Sequence, residues 1–157
     1  MSLWNTYKGA LRDLESATRS CRSRLLYLKD YLRGILMTNL ESELQQFIGG
    51  GDVYEHTLGP LLYTEGIKYL AEKVGAYWLI DAVASYQPEQ IIRSNPRLRH
   101  FQLWRLEVQE DKQARLELRE DSHLPPVLTQ RIEYTDFPLK EFECFVCDGV
   151  LMLKGEY

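Results

Sequence analysis

The sequence predicts an α+β domain, two or three helices packed on an antiparallel sheet of four or five strands. Three observations carry this. Apolar side chains recur at helical spacing as far as Arg93, and from Phe101 onward they alternate with charged ones. Helices followed by strands, rather than interleaved with them, segregate into layers. The chain has 157 residues, 45% of them hydrophobic, enough to bury one sizeable core.

Charge divides the chain. Residues 1–36 hold seven Lys and Arg against three Asp and Glu, so that a net charge of −4 overall leaves −8 on the remainder. The expected organisation is a basic amphipathic extension, 1–36, followed by a single domain, 37–157. Leu25, Leu28, Tyr31, Leu32, Ile35 and Leu36 give the extension a helical apolar stripe, suited to docking, to an acidic membrane surface or to a partner. Met37 precedes Thr38 and Asn39, good N-cap types, and an acidic first turn, so translation starting at Met37 is an alternative. The acidic remainder is a poor match for nucleic acid, which binds surplus Lys and Arg.

The helix expected to open at Thr38 should end at Ile48, before Gly49-Gly50-Gly51. Asp52 to Tyr63, with a Gly59-Pro60 turn, is read as irregular chain. Thr64 then N-caps the longest periodic stretch, Thr64 to Gln87. Its first half shows one apolar stripe through Ile67, Leu70, Ala71 and Val74, whereas Leu79, Val83 and Tyr86 of the second half fall on the opposite side. Either Gly75 breaks the helix, or one unbroken helix is buried on most sides with Asp81 facing inward. Pro88-Glu89 starts a further turn over Gln90 to Arg93, which Asn95-Pro96 stops.

Two hairpins follow. A loop at Glu110-Asp111-Lys112 sets Val108 opposite Ala114, Leu106 opposite Leu116 and Trp104 opposite Leu118. The same register sets Arg105 opposite Glu117 and Glu107 opposite Arg115, so that apolar and charged faces choose one pairing. Leu128, Ile132 and Tyr134 mark a third strand. Asp148-Gly149 is a two-residue turn that pairs Cys147 with Val150, Val146 with Leu151 and Cys144 with Leu153. Both faces of this hairpin are largely apolar, which places it centrally in the sheet.

Leu62 to Gln87, the Tyr134 to Pro138 turn and the closing Glu156-Tyr157 resemble an uncharacterised domain-of-unknown-function family of small bacterial and mobile-element (phage or plasmid) proteins, over about residues 38–157. The resemblance implies a bacterial source and a domain boundary near Met37. It carries no activity and no site residue.

Candidate chemistry is therefore read from the residues. Asp81, set among Trp78, Leu79, Ile80 and Val83, is the first candidate for a proton donor or acceptor, because desolvation raises a carboxyl pKa. Its alternative is a structural acid. His56 and His100 are candidate partners, with surface histidines as the alternative. Tyr63, Tyr77, Trp78 and Asp81 are candidate binding residues, in a set of tyrosines that includes Tyr54, Tyr69 and Tyr86. Cys144 and Cys147 match C-x-x-C, but residues three apart on a strand point to opposite faces and no second ligand pair is near, so no metal is expected. No P-loop, dinucleotide fingerprint, HExxH or G-x-S-x-G is present, and no cofactor is expected. Three cysteines are too few for a disulfide framework. MSLWNTYKG does not read as a secretory signal, and the best apolar run, Ala76 to Ser85, is shorter than the roughly 18 residues of a membrane span. The expectation is a cytoplasmic, non-enzymatic binding or protein-interaction module, self-association included. The alternative is a small enzyme using Asp81 with a histidine as an acid–base pair in a helix–sheet pocket.

Overall fold

The computed structural model describes residues 31, 34–35, 38–57 and 59–157, so the basic extension falls, but for three residues, outside the described residues. The chain divides into two compact units, Met1–Glu43 and Leu44–Tyr157. Helical residues run from 38 to 44, short of the expected end at Ile48. Thr38 is no N-cap. Residues 34 and 35 are already helical, and the Thr38 hydroxyl donates back to the Gly34 carbonyl at 2.9 Å, as hydroxyls inside helices do.

The second unit is built on a seven-stranded sheet in the order β1-β2-β7-β6-β3-β4-β5. The strands are β1 (Val53–Glu55), β2 (Leu62–Thr64), β3 (Phe101–Val108), β4 (Ala114–Arg119), β5 (Leu128–Ile132), β6 (Glu141–Cys147) and β7 (Val150–Leu153). Four described helices lie between β2 and β3: α1 (Glu65–Val74), α2 (Tyr77–Tyr86), α3 (Gln90–Arg93) and α4 (Pro96–His100). The α+β class stands, but the expected helix and strand numbers understate the architecture. The sheet is mixed as well, since β2 runs parallel to β7.

Both predicted registers are found. Val108–Ala114, Leu106–Leu116 and Trp104–Leu118 pair across β3 and β4, and Cys147–Val150, Val146–Leu151 and Cys144–Leu153 across β6 and β7. Lys112 takes φ +65° to close the first hairpin, and Asp148 and Gly149 both take positive φ in the second, as its type of turn requires. The β6–β7 hairpin is central. The charged face departs from the simple cross-strand scheme. Glu107 takes Arg115, but Glu117 takes Arg115 and Arg119, and Arg105 turns to Glu107 and Glu141. Glu117 is thereby buried rather than solvated.

The missed hairpin is β1–β2. Tyr54 pairs with Tyr63, and the ladder continues past the strand ends, the His56 N–H donating to the Leu61 carbonyl at 2.9 Å. The short alternation around Gly59-Pro60 is a strand pair, not irregular chain.

Gly75 breaks the long periodic stretch. It adopts φ +71° as the left-handed C-cap of α1, its N–H bonding the Ala71 carbonyl, and α2 restarts at Tyr77. Each half then buries its own face, Ile67, Leu70, Ala71 and Val74 in α1 and Leu79, Ile80, Val83 and Ala84 in α2. The conflict between the two apolar stripes is thus resolved by rotation at one glycine. Asn95-Pro96 starts a helix rather than only ending one: the Asn95 carboxamide oxygen accepts from the Arg97 and Leu98 amides, and Pro96 occupies the first helical position.

The start of α1 is held by the last residues of the sequence. Thr64 caps α1 and donates its hydroxyl to Glu156 at 2.6 Å, and the same carboxylate accepts from the Gly66 and Leu153 amides. Tyr157 lays its ring against Phe101 and Phe145 on the other face of the sheet. At the far end of α2, Gln87 and Gln102 exchange hydrogen bonds through both carboxamides. Gln87 also donates to Val83 O, and Gln102 donates to Leu98 O while accepting from Trp104 Nε1. Every polar atom of the pair is used.

Candidate functional site

Breaking the helix at Gly75 decides where Asp81 points. Its side chain is 60% exposed, so the apolar desolvation expected of it is absent. The buried member is His56, 8% exposed, whose Nε2 lies 2.9 Å from Asp81 Oδ1. The β1–β2 ladder makes this contact possible, because it carries His56 to the sheet face on which Tyr54 and Tyr63 stand, the face that α1 and α2 cover. The two residues singled out from sequence are thus brought together, with the burial reversed.

An aromatic surface lies beside the pair. Tyr54 and Tyr63 stack at 5.8 Å, and Lys68 of α1 sits 3.9 Å above the Tyr54 ring. Burial alone would lower the Lys68 pKa, but the Tyr54 phenol and the Glu72 carboxylate outweigh it and hold the ammonium above its ordinary value. Tyr77, one helical turn before Asp81, donates its hydroxyl toward Glu72 at 3.4 Å. Partial burial, and then Glu72, push its phenol up, so it remains a donor at neutral pH.

The other candidates lie elsewhere. His100 Nδ1 pairs with Asp148 at 2.9 Å, both side chains exposed, and has no part in the Asp81 contact. Trp78 packs edge to face on Phe137, Tyr86 tilts against Trp104, and Tyr69 meets Phe47. Cys144 and Cys147 fall on opposite faces of β6. The first is in the core, where burial pushes its thiol up to about 12. Among the described residues no group of three His, Cys, Asp or Glu is placed to hold a metal ion, and no helix is long and apolar enough to cross a membrane. Two concavities, one beside Arg97 and one beside Gln87, take in neither His56 nor Asp81.

Sequence reading gave Lys68, Glu72 and Glu156 no role in a site or in the fold. The first two occupy the polar stripe of α1, which is solvated in an ordinary helix. What would have found them is the strand character of Tyr54 and Tyr63, since that hairpin brings the stripe against aromatic rings.

Fold and site define an α+β domain with an aromatic, carboxylate-bearing surface. The chain belongs to the family of unknown function DUF6876, whose model matches residues 38–157. No curated protein and no solved structure matches the chain significantly.

Proposed function

We propose that residues 37–157 form a non-enzymatic binding module whose contact surface is the aromatic face where Tyr54, Tyr63 and Tyr77 meet Lys68, Glu72 and Asp81. The observation that carries this reading is the buried His56 bracing an exposed Asp81. A carboxylate held from behind keeps its outward oxygen oriented and loses little freedom on binding. Tyrosine rings supply large contact area at small entropic cost, the chemistry of interface anchors. The complementary partner is a protein surface, a second copy included, that offers a Lys or Arg side chain to Asp81 and Glu72. Nucleic acid does not suit this acidic domain, and the basic extension is the part suited to an acidic surface. The resemblance to bacterial and mobile-element proteins supports such an origin, and sparse cysteine usage supports the cytoplasm.

The test is photo-crosslinking in cells of the source organism, with benzoylphenylalanine in place of Tyr77 and, as control, of the exposed Tyr134. Expected is a protein adduct specific to position 77 and weakened by Asp81→Asn. An adduct pattern identical at the two positions sinks the reading.

A second reading, a small enzyme, is favoured by the 2.9 Å contact alone. Asp81 would exchange the proton and His56 would orient it. Against it stands the exposure of Asp81, whose side chain is 60% open to solvent rather than enclosed in an apolar pocket. Hydrolytic turnover lost in Asp81→Asn, with melting unchanged, would establish it over the binding reading.

A further inference from the structure

A separate concavity of about 200 Å³ opens beside the end of α2. Leu61 and Ile92 supply apolar wall, Gln87 and Gln102 line it between them, and Arg93 of α3 and Arg99 of α4 stand at its edge; none of the lining residues is acidic. Arg97, Arg105, Arg115 and Arg119 each pair with a glutamate. Among the described residues Arg93 and Arg99 have no carboxylate partner, in a chain of net charge −4. The local helix ends would ordinarily present carbonyl oxygens that repel an anion. Here the carboxamides cover one carbonyl at each of two helix ends, Gln87 donating to Val83 O and Gln102 to Leu98 O. Two unpaired guanidiniums thus remain as the charged groups of a concave, partly apolar site.

We propose that this concavity binds a small oxyanion, the phosphate or carboxylate group of a small molecule, gripped by Arg93 and Arg99 with its uncharged part against Leu61 and Ile92. Guanidinium forks match both groups in geometry and charge. The Gln87–Gln102 pair, its four N–H donors all spent, keeps the site's shape without competing for the ligand.

The experiment is an amide NMR titration of the full chain at constant ionic strength, one arm with inorganic phosphate and one with succinate. Saturable shifts of the Gln87 and Gln102 side-chain amides are expected, half complete at about 1 mM. Arg93→Gln and Arg99→Gln should each weaken binding by about tenfold. Arg93→Lys should fall between, and Arg131→Gln, on distant β5, should change nothing. Saturation by phosphate alone assigns a phosphoryl ligand, by succinate alone a carboxylate, and by both a general oxyanion site. No saturation in either arm, or saturation that survives both glutamine substitutions, overturns the proposal. Arg93 and Arg99 are exposed, and thermal melting of each variant checks that the fold is kept.

Discussion

Helix propensity and tertiary packing give opposite signs for Gly66→Ala. In an unencumbered helix the change stabilises by about 1 kcal/mol. At Gly66, however, a Cβ would lie 2.6 Å from Leu153 Cδ1 and 2.8 Å from both carboxylate oxygens of Glu156. Neither neighbour yields cheaply. Leu153 is 4% exposed, and Glu156 holds the Thr64 hydroxyl and two backbone amides. Overpacking costs about 1–3 kcal/mol, and a loosened helix cap about 1 kcal/mol more. Against the propensity gain, the net expectation is a loss of about 1–3 kcal/mol, a fall in melting temperature of roughly 4–8 °C for 2 kcal/mol. Urea unfolding followed by circular dichroism measures it. The penalty should shrink by about 1 kcal/mol when Gly66→Ala is made in a Glu156→Ala background, because part of the obstruction has gone. A Gly66→Ala protein as stable as its parent, or a penalty indifferent to Glu156, refutes the reasoning.

Gln102→Leu keeps volume but strands Trp104 Nε1–H and the Leu98 carbonyl, at about 1–3 kcal/mol each; urea unfolding should show a loss of roughly 3–5 kcal/mol, and a loss below about 1 kcal/mol would contradict the network. Asp81→Asn, at an exposed position, should cost under about 1 kcal/mol, whereas His56→Ala should cost about 2 kcal/mol or more through its cavity, so equal melting shifts would contradict the burial order. Gly75→Ala meets no neighbouring atom but forces φ +71° on an L-residue, and should lose about 1–2 kcal/mol. Native protein at pH 8 should be alkylated by iodoacetamide at Cys147 and not at Cys144, whose thiol stays protonated below about pH 12; ionising it above pH 9 opposes the fold, so stability contributed by burying the neutral thiol declines as pH rises toward 12. Comparable labelling at both cysteines in folded protein would refute its burial.

The antiparallel hairpins were legible because each register is specified twice, by an apolar and a charged face in β3–β4 and by alternation together with the Asp148-Gly149 turn in β6–β7. Lys112 and Asp148-Gly149 supply the turns, and Leu106–Leu116 and Val146–Leu151 belong to the alternations. The helix break was legible as a contradiction between stripes, with Gly75 as the residue able to resolve it. The β1–β2 hairpin was not, because three-residue strands give too little alternation to stand out from a loop. The parallel β2–β7 pairing was not either, because nothing local to Leu62 names Val150 as its partner. That omission explains the site. Asp81 and His56 were candidates by residue type, but only the unrecognised ladder brings them to 2.9 Å and makes the histidine the buried one.

The parallel pairing of β2 with β7 also constrains how the chain is made. Leu62 must wait for Val150, so the β1–β2 hairpin leaves the ribosome with one edge unpaired while the helices and four further strands are synthesised. At roughly 5–20 residues per second that edge stays open for roughly 4–18 s. Its exposed rungs are short, and Lys68 is poised nearby on α1, the kind of brevity and charge that discourages edge-to-edge association. Sheet closure is therefore a late event in biosynthesis, and chains stalled before β7 are the species most exposed to aggregation or to capture by chaperones.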